Sequence, residues 1–470
     1  MRSISKIFLI ILSICSLFFL TIMSPAMASA ANAKFAVSKM GNMSDFDPSH
    51  PVIPTGDTIK IAVVASFSGP GAVNGELYWA VASWVSHDIN KRGGILVDGK
   101  KKLVQIIKAD HMSRPDECKR ICESMALQEK VCAFWGTDGS NLVKIMNEVA
   151  DKYHIISQNF TSLSDELQNA QNFSRYAFMT QFSTSQVGRS FAYFYGQIRK
   201  KEKKFYLLNQ DYMYGHDLSE SFKKGLKEYY PQAQIVGEDF HKLFLTDFAP
   251  YLTKIKASGA EVIYTGDWLP DSGNLLKQAR QMGIMTPFAH IFMGDPNTLT
   301  AVGIQGSNGL QHIVSYGNGN PVFKTRDDIK LYNMWHDLWK TKFKPPFNQK
   351  MYEHGLFRWS MDLYWLLSVI ERAGSTDPEK IIKVWEGDTY QFANGQVVKM
   401  RPCDHMVIED LYIGEYVPPD RQKVSFNIPP YHWASDYSFF GPTSRIPAVK
   451  VLPLMDPKLE RCRGKNPSGD

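Results

Sequence analysis

Small polar residues gather where apolar runs stop. Gly136-Thr137-Asp138-Gly139-Ser140 stands between an apolar run ending at Phe134 and a helical pattern that opens immediately afterwards. The two glycines let backbone approach a bound molecule, Ser140 offers a hydroxyl, and the first amides of the following helix can receive a negative group. Asn159 to Ser162 occupy the same kind of junction after a later run. Tyr214 and Trp268 fall at strand ends, outside the apolar helix stripes, and can close over an apolar or cationic body. Asp267 and Asp295 end strands in the same half of the chain, where an ammonium could be paired once water is excluded. Ser140 and Thr161 read equally well as helix caps. Asp138 repels a carboxylate if it points inward and merely caps if it points outward.

Converging catalytic groups are missing from the sequence. There is no G-x-S-x-G nucleophile elbow, and the loop "FSGPGAVNG" is neither a dinucleotide fingerprint nor a phosphate-cradling P-loop. Glu409 and Asp410 are adjacent and face opposite sides of a strand, so they cannot share acid–base work. His216, His290 and His312 are scattered. The expectation is a binder without catalytic residues, metal or cofactor, and an enzyme is the remote alternative.

The elements that must position these residues follow from periodicity. "IKIAVVASF" is a buried strand, and the helix after it carries Val73, Leu77, Ala80, Val81, Trp84, Val85 and Ile89 on one stripe. "KLVQIIKAD", "VCAFWG" and "HIISQNF" are further strands, with helices predicted over Pro115–Glu129 and Ser140–Lys152. The alternation restarts after "SRYAFMTQFS", with strands "FYLLNQ", "AQIVGEDF", "AEVIYTG" and "FAHIFMG" separated by helices. This spacing is that of parallel crossover units, so the fold class is α/β with two open parallel sheets. Later segments, including a helix over Glu353–Ala373 and a hairpin at Asn394-Gly395, are expected to add back onto the two sheets. In such sheets a cleft forms beyond the carboxyl ends of the strands, where the loops named above lie.

The chain of 470 residues is 44% apolar and 21% charged, enough for two cores. Arg2 and Lys6 precede an apolar run from Ile7 to Met23 and then small residues in A-x-A register, which reads as a cleaved export signal. Losing Arg2 and Lys6 takes the formal charge from +6 to +4, and no basic stripe with interleaved aromatics argues for nucleic acid. No second apolar segment reaches spanning length. The mature chain is therefore expected to be soluble outside the cytoplasm and to permit disulfides. With Cys15 in the leader, Cys118, Cys122, Cys132, Cys403 and Cys462 remain. A helix cysteine pairing with Cys132 as a staple, and Cys403 pairing with Cys462 to pin the tail, are the expected bridges. Their spacing does not suit zinc.

Taken in order, "IKIAVVASFSGPGAVNG", "FWGTDGSNL", "IISQNFTS", "DYMYGHD", "FAPYLTKIKASGAEVIYTGDW", "LLKQARQMGI" and "RPCDHMVIEDLYIGEY" resemble periplasmic ligand-binding proteins of the branched-chain amino acid type, from about Ile59 to Val417. The resemblance implies a type I two-lobed clamp joined by three crossovers near Phe178, Ser315 and Lys399–Val417. Its segments would be a signal at 1–33, an arm at 34–57, lobe one from 58–178 with 316–400, lobe two from 179–315 with 401–450, and a tail at 451–470. It implies a ligand carboxylate held by Ser140, Asn159 and Thr161, rings at Tyr214 and Trp268, an acid near Asp295 for an ammonium, and a cleft position at Asn74. It further implies a periplasmic location and delivery of a small molecule to an ABC transporter permease; signalling to a membrane receptor is the alternative. Pro296 follows Asp295 where an acid and glycine are usual, and the aromatic content points away from a small aliphatic amino acid.

Overall fold

The computed structural model describes residues 33–35, 40–294, 296–315, 338–339, 341–344, 350–393, 395–417 and 439–468. The leader up to residue 32, Asp295 and Asn394 of the expected hairpin, and most of the segment after Ser315 lie outside them.

Lobe one is built from β-branched and aliphatic runs that alternate with amphipathic helices. The short strand β1 (Ala33–Lys34) is followed by β2 (Ile59–Ala65), helix α1 (Ala72–Lys91), a small hairpin of β3 (Ile95–Val97) and β4 (Lys100–Lys102), and β5 (Val104–Asp110). Helix α2 (Pro115–Ser124), β6 (Ala133–Gly136), α3 (Ser140–Tyr153), β7 (Ile156–Asn159) and β8 (Ala177–Met179) complete the first pass. The order is β5-β2-β6-β7-β8, and every pairing is parallel. Strand β2 is buried along nearly its whole length because helices cover both faces.

Lobe two repeats the plan. Helix α4 (Thr184–Tyr193), β9 (Lys204–Gln210), α5 (Met213–Tyr229), β10 (Gln234–His241), α6 (Ala249–Ser258), β11 (Val262–Thr265), α7 (Asp271–Gln281), β12 (Phe288–His290), α8 (Pro296–Ser307) and β13 (Gln311–Val314) follow one another. The chain then supplies α9 (Lys350–Ala373) and α10 (Pro378–Trp385), a small sheet of β14 (Thr389–Gln391), β15 (Val397–Met400) and β16 (Val407–Ile408), and the strands β17 (Leu411–Val417) and β18 (Phe439–Ile446). The lobe-two sheet runs β10-β9-β11-β12-β13-β17-β18, with the last two strands antiparallel. Late segments thus return to both lobes: β17 and β18 extend the second sheet, and α9 packs on α1 of the first, where Tyr364 donates to Asp88 at 2.7 Å.

The first and third crossovers run side by side. Met179 pairs with Met406, and its amide donates to the His405 carbonyl at 2.9 Å. Residues 450–467 lie behind them. Tyr229 donates to the Lys450 carbonyl, Arg189 to the Leu452 carbonyl, and the Leu454 amide to Ser185 Oγ, all from lobe two. Then the Ala170 amide of lobe one donates to Asp456 at 2.8 Å. Cys403 and Cys462 are bonded. The expected staple to Cys132 is not formed. Cys118 and Cys122 are buried side by side as free thiols in α2, and Cys132 lies against the Lys60 carbonyl at 3.3 Å on the next strand. Among the described residues no helix is long and apolar enough to cross a membrane.

Candidate ligand-binding site

A cavity of about 200 Å³ lies between the lobes at the carboxyl ends of both sheets. Lobe one contributes Asn74, Tyr78, Asp138 to Ser140, Thr161, Ser162 and Trp359, and lobe two contributes Tyr212, Tyr214, Trp268, Phe292 and His312.

The lobe-one wall is made by the loops after β6 and β7. Gly136 passes so close to β2 that a Cβ there would stand 2.4 Å from the Val64 carbonyl oxygen, and Gly139 has φ +85°, a left-handed conformation that glycine alone adopts freely. Gly139 caps α3 without a side chain, so Ser140 is the first helical residue and not the cap. Ser140 is only 1% exposed, and its Oγ has no hydrogen-bond partner among the described residues. With the first amides of α3 beside it, this is a polar terminus prepared for an acceptor.

Asp138 faces the cavity with its charge already committed. Ser66 donates to it from both amide (3.2 Å) and hydroxyl (2.8 Å), and His111 Nε2 lies 3.3 Å away. Burial works to raise its pKa, but the hydrogen bond and charge of His111 prevail and hold it below the usual carboxylate value. Thr161 and Ser162 both turn their hydroxyls onto the Thr137 carbonyl, at 3.0 and 2.8 Å, tying the two loops together.

Two sequence-based expectations are corrected here. Asn159 does not line the cavity: its carboxamide accepts from the Ser162 amide at 2.9 Å and donates to the Ser162 carbonyl at 2.6 Å, so it shapes the loop that presents Thr161. Asp267 is likewise absent from the lining. Its carboxylate meets His241 Nε2 at 2.8 Å inside lobe two, which leaves it no exposed face for an ammonium. Asn74, Ser140, Thr161, Tyr214 and Trp268 are brought together around the cavity. Asp295 lies outside the described residues.

Rings make the opposite wall. Tyr214, beside the close Gly215 turn, donates to the Gly266 carbonyl at 2.8 Å, and Trp268 Nε1 donates to the Tyr212 hydroxyl at 2.9 Å. Their polar atoms are thereby satisfied inside lobe two, and their faces are left for a ligand. His312 stacks on His290 with centroids 4.7 Å apart, and burial pushes its pKa down to about 4, so it is neutral.

Arg358, 1% exposed, reaches the cavity from α9 and gathers three segments. It pairs with Asp362 one turn on at 3.1 Å, with Glu409 of the third crossover, and with the Thr180 carbonyl of the first. Burial of two acids beside one guanidinium pushes Asp362 up to about 8 and Glu409 upward. Sequence reasoning missed Arg358, although an arginine four residues before an aspartate inside an apolar helix pattern is a readable signal for a buried pair. It also missed Gln181, Tyr212 and Trp359. Gln181 sits in the first crossover, where no periodicity marks it.

Residues 58–422 match the family model described as periplasmic binding protein. The chain belongs to the periplasmic binding protein family. An amino acid binding protein of Pseudomonas aeruginosa is 30% identical over 247 residues, which are 52% of this chain and 61% of that one. The chain thus spans about three fifths of that relative's length. Two solved structures share the fold of this periplasmic binding protein. One is the closed leucine-, isoleucine-, valine-, threonine- and alanine-binding protein of Brucella ovis (TM-score 0.68, 20% identity, 87% of this chain and 99% of that one). The other is an ABC transporter solute-binding protein of Rhodopseudomonas palustris in complex with 3,4-dihydroxybenzoic acid (TM-score 0.66, 18% identity, 84% and 98%). The type I two-lobed architecture expected from the sequence is the one these relatives have, and they are binding proteins.

Proposed function

We propose that this periplasmic binding protein captures a small carboxylate with an aromatic or apolar body in the periplasm, closes its lobes on it, and delivers it to an ABC transporter permease. The observation that carries the reading is the pairing of an unpartnered Ser140 hydroxyl at the start of α3 with a facing wall of rings. A helix N-terminus with a buried donor suits an anion, and Tyr214, Trp268 and Trp359 suit a flat or branched hydrocarbon. A ligand touching both walls is bound best when they are closed, so binding shifts the population shut.

Between an amino acid, as in the name of the P. aeruginosa relative, and an aromatic acid, the lining favours the latter. Asp138 is bonded to Ser66 and His111, and Asp267, whose Oδ2 meets His241, does not line the cavity, so among the described residues neither offers an ammonium its charge. Isothermal calorimetry of the purified chain against L-leucine, L-phenylalanine, benzoate and 4-hydroxybenzoate tests this. Binding of the acids in the micromolar range or tighter is expected; heat from none of the four would remove the carboxylate reading. Mass spectrometry of whatever is released on denaturation identifies the ligand directly.

A further inference from the structure

Among the described residues, two buried polar side-chain atoms of the cavity lining lack a hydrogen-bond partner, Ser140 Oγ and Gln181 Oε1. Asp138, Thr161, Ser162, Tyr214 and Trp268 are bound to atoms of their own lobe, and Arg358 is divided among Asp362, Glu409 and Thr180. Ser140 is used by the carboxylate reading above. Among the described residues, Gln181 Oε1 has no such role. Gln181 lines the cavity, is only 7% exposed, and its Oε1 is buried with no hydrogen-bond partner among the described residues.

The backbone at Gln181 is fixed on both sides. The Thr180 amide donates to the Asn159 carbonyl at 2.8 Å, Gln158 donates to the Thr180 hydroxyl at 3.1 Å, and Arg358 holds the Thr180 carbonyl. Two residues further, Ser183 and Gln186 form a reciprocal capping box at the start of α4. A buried carbonyl oxygen without a donor costs about as much as the hydrogen bond it lacks, and a bound molecule that supplies the donor recovers that cost.

We propose that Gln181 is a specificity-determining residue whose Oε1 accepts a hydrogen bond from an O–H or N–H carried by the body of the bound acid. This rests on the carboxylate reading and narrows it: the ligand has a donor in addition to its anionic end. A fixed acceptor rejects analogues that lack the donor far more strongly than an apolar pocket rejects a changed methylene.

The test compares matched pairs by calorimetry on the full chain. Benzoate against 4-hydroxybenzoate, and 3-phenylpropionate against 3-(4-hydroxyphenyl)propionate, vary a hydroxyl; 3-phenylpropionate against L-phenylalanine varies an amine. In the wild type the donor-bearing member of the hydroxyl or the amine pairs is expected to bind about tenfold tighter or more. Gln181→Leu, which keeps the volume, should erase that ratio and leave the affinity of the other member within about twofold. Gln181→Met serves if the leucine variant does not fold. Acids that bind without any pairwise preference in the wild type overturn the role of Gln181 and leave the carboxylate reading intact, as does a ratio that survives in a folded variant. If no acid binds, both fall.

Discussion

The two walls of the cleft solve different problems with the same supersecondary unit. In lobe one the strand-to-helix loops stay polar, and one of them leaves the Ser140 hydroxyl unpartnered at the start of α3. In lobe two the equivalent junctions carry Tyr212, Tyr214 and Trp268, whose polar tips are bonded within the lobe. The difference shows that a parallel sheet edge is neutral scaffolding. On the carboxylate reading proposed here, glycine and small hydroxyls make one edge an anion receptor, and rings make the other a surface for hydrocarbon.

The strongest way to break this comparison is to reverse the charge preference of the first wall. Ser140→Asp places a carboxylate where the ligand's would sit, and binding of any acid should weaken at least ~100-fold, since like charges at contact in a half-buried site cost several kcal/mol. A gain in affinity for amines in the same variant would strengthen the assignment; unchanged acid binding by calorimetry would reject it. Next in size, Trp268→Ala should cost an aromatic acid about 30-fold while far-UV circular dichroism stays native, because buried aromatic anchors carry most of such binding energy. Equal affinity in that variant would move the hydrocarbon wall elsewhere.

The smallest effect sharpens how the walls meet. Ser164, at the end of the lobe-one loop, donates to Asp217 on α5 of lobe two. Burial, together with the nearby charges of Asp165 and Glu166, pushes Asp217 up to about 7 despite the help of Ser164. The folded chain therefore holds this proton more tightly than the unfolded chain. The resulting stability is full below about pH 4 and is lost as pH rises to about 7. Asp217→Asn should raise Tm by about 2 °C at pH 8 and leave it unchanged at pH 4. A difference of the same size at both values, measured by differential scanning calorimetry, would count against it.

Fold and site were legible to different degrees for a physical reason. The alternation of strands and helices is a local property of spacing, so both sheets, and the loops at their carboxyl edges, can be read from the chain. What a side chain at such a loop does depends on partners far away in sequence. Asp267 reads as free for an ammonium, but His241, 26 residues earlier, meets it; Asn159 is the exception, since its partner Ser162 is only three residues on and the loop it shapes is local. Arg358 joins residues 178 positions before it and 51 after it, a union no local pattern announces. Cys132 failed as a staple because Cys118 and Cys122 turn toward the helix packing and not toward the strand.

The stretch behind the crossovers sets a mechanical limit on this molecule. Leu454 is tied to lobe two through Ser185, and Asp456 to lobe one through Ala170, with a single residue between them. Two peptide steps extend to about 7 Å at most. While both ties hold, their two attachment points stay within that reach of one another, and the bond from Cys462 to Cys403 anchors the stretch at its far end. The tail is thus a check-rein on the separation of its two attachment points for as long as both hydrogen bonds hold.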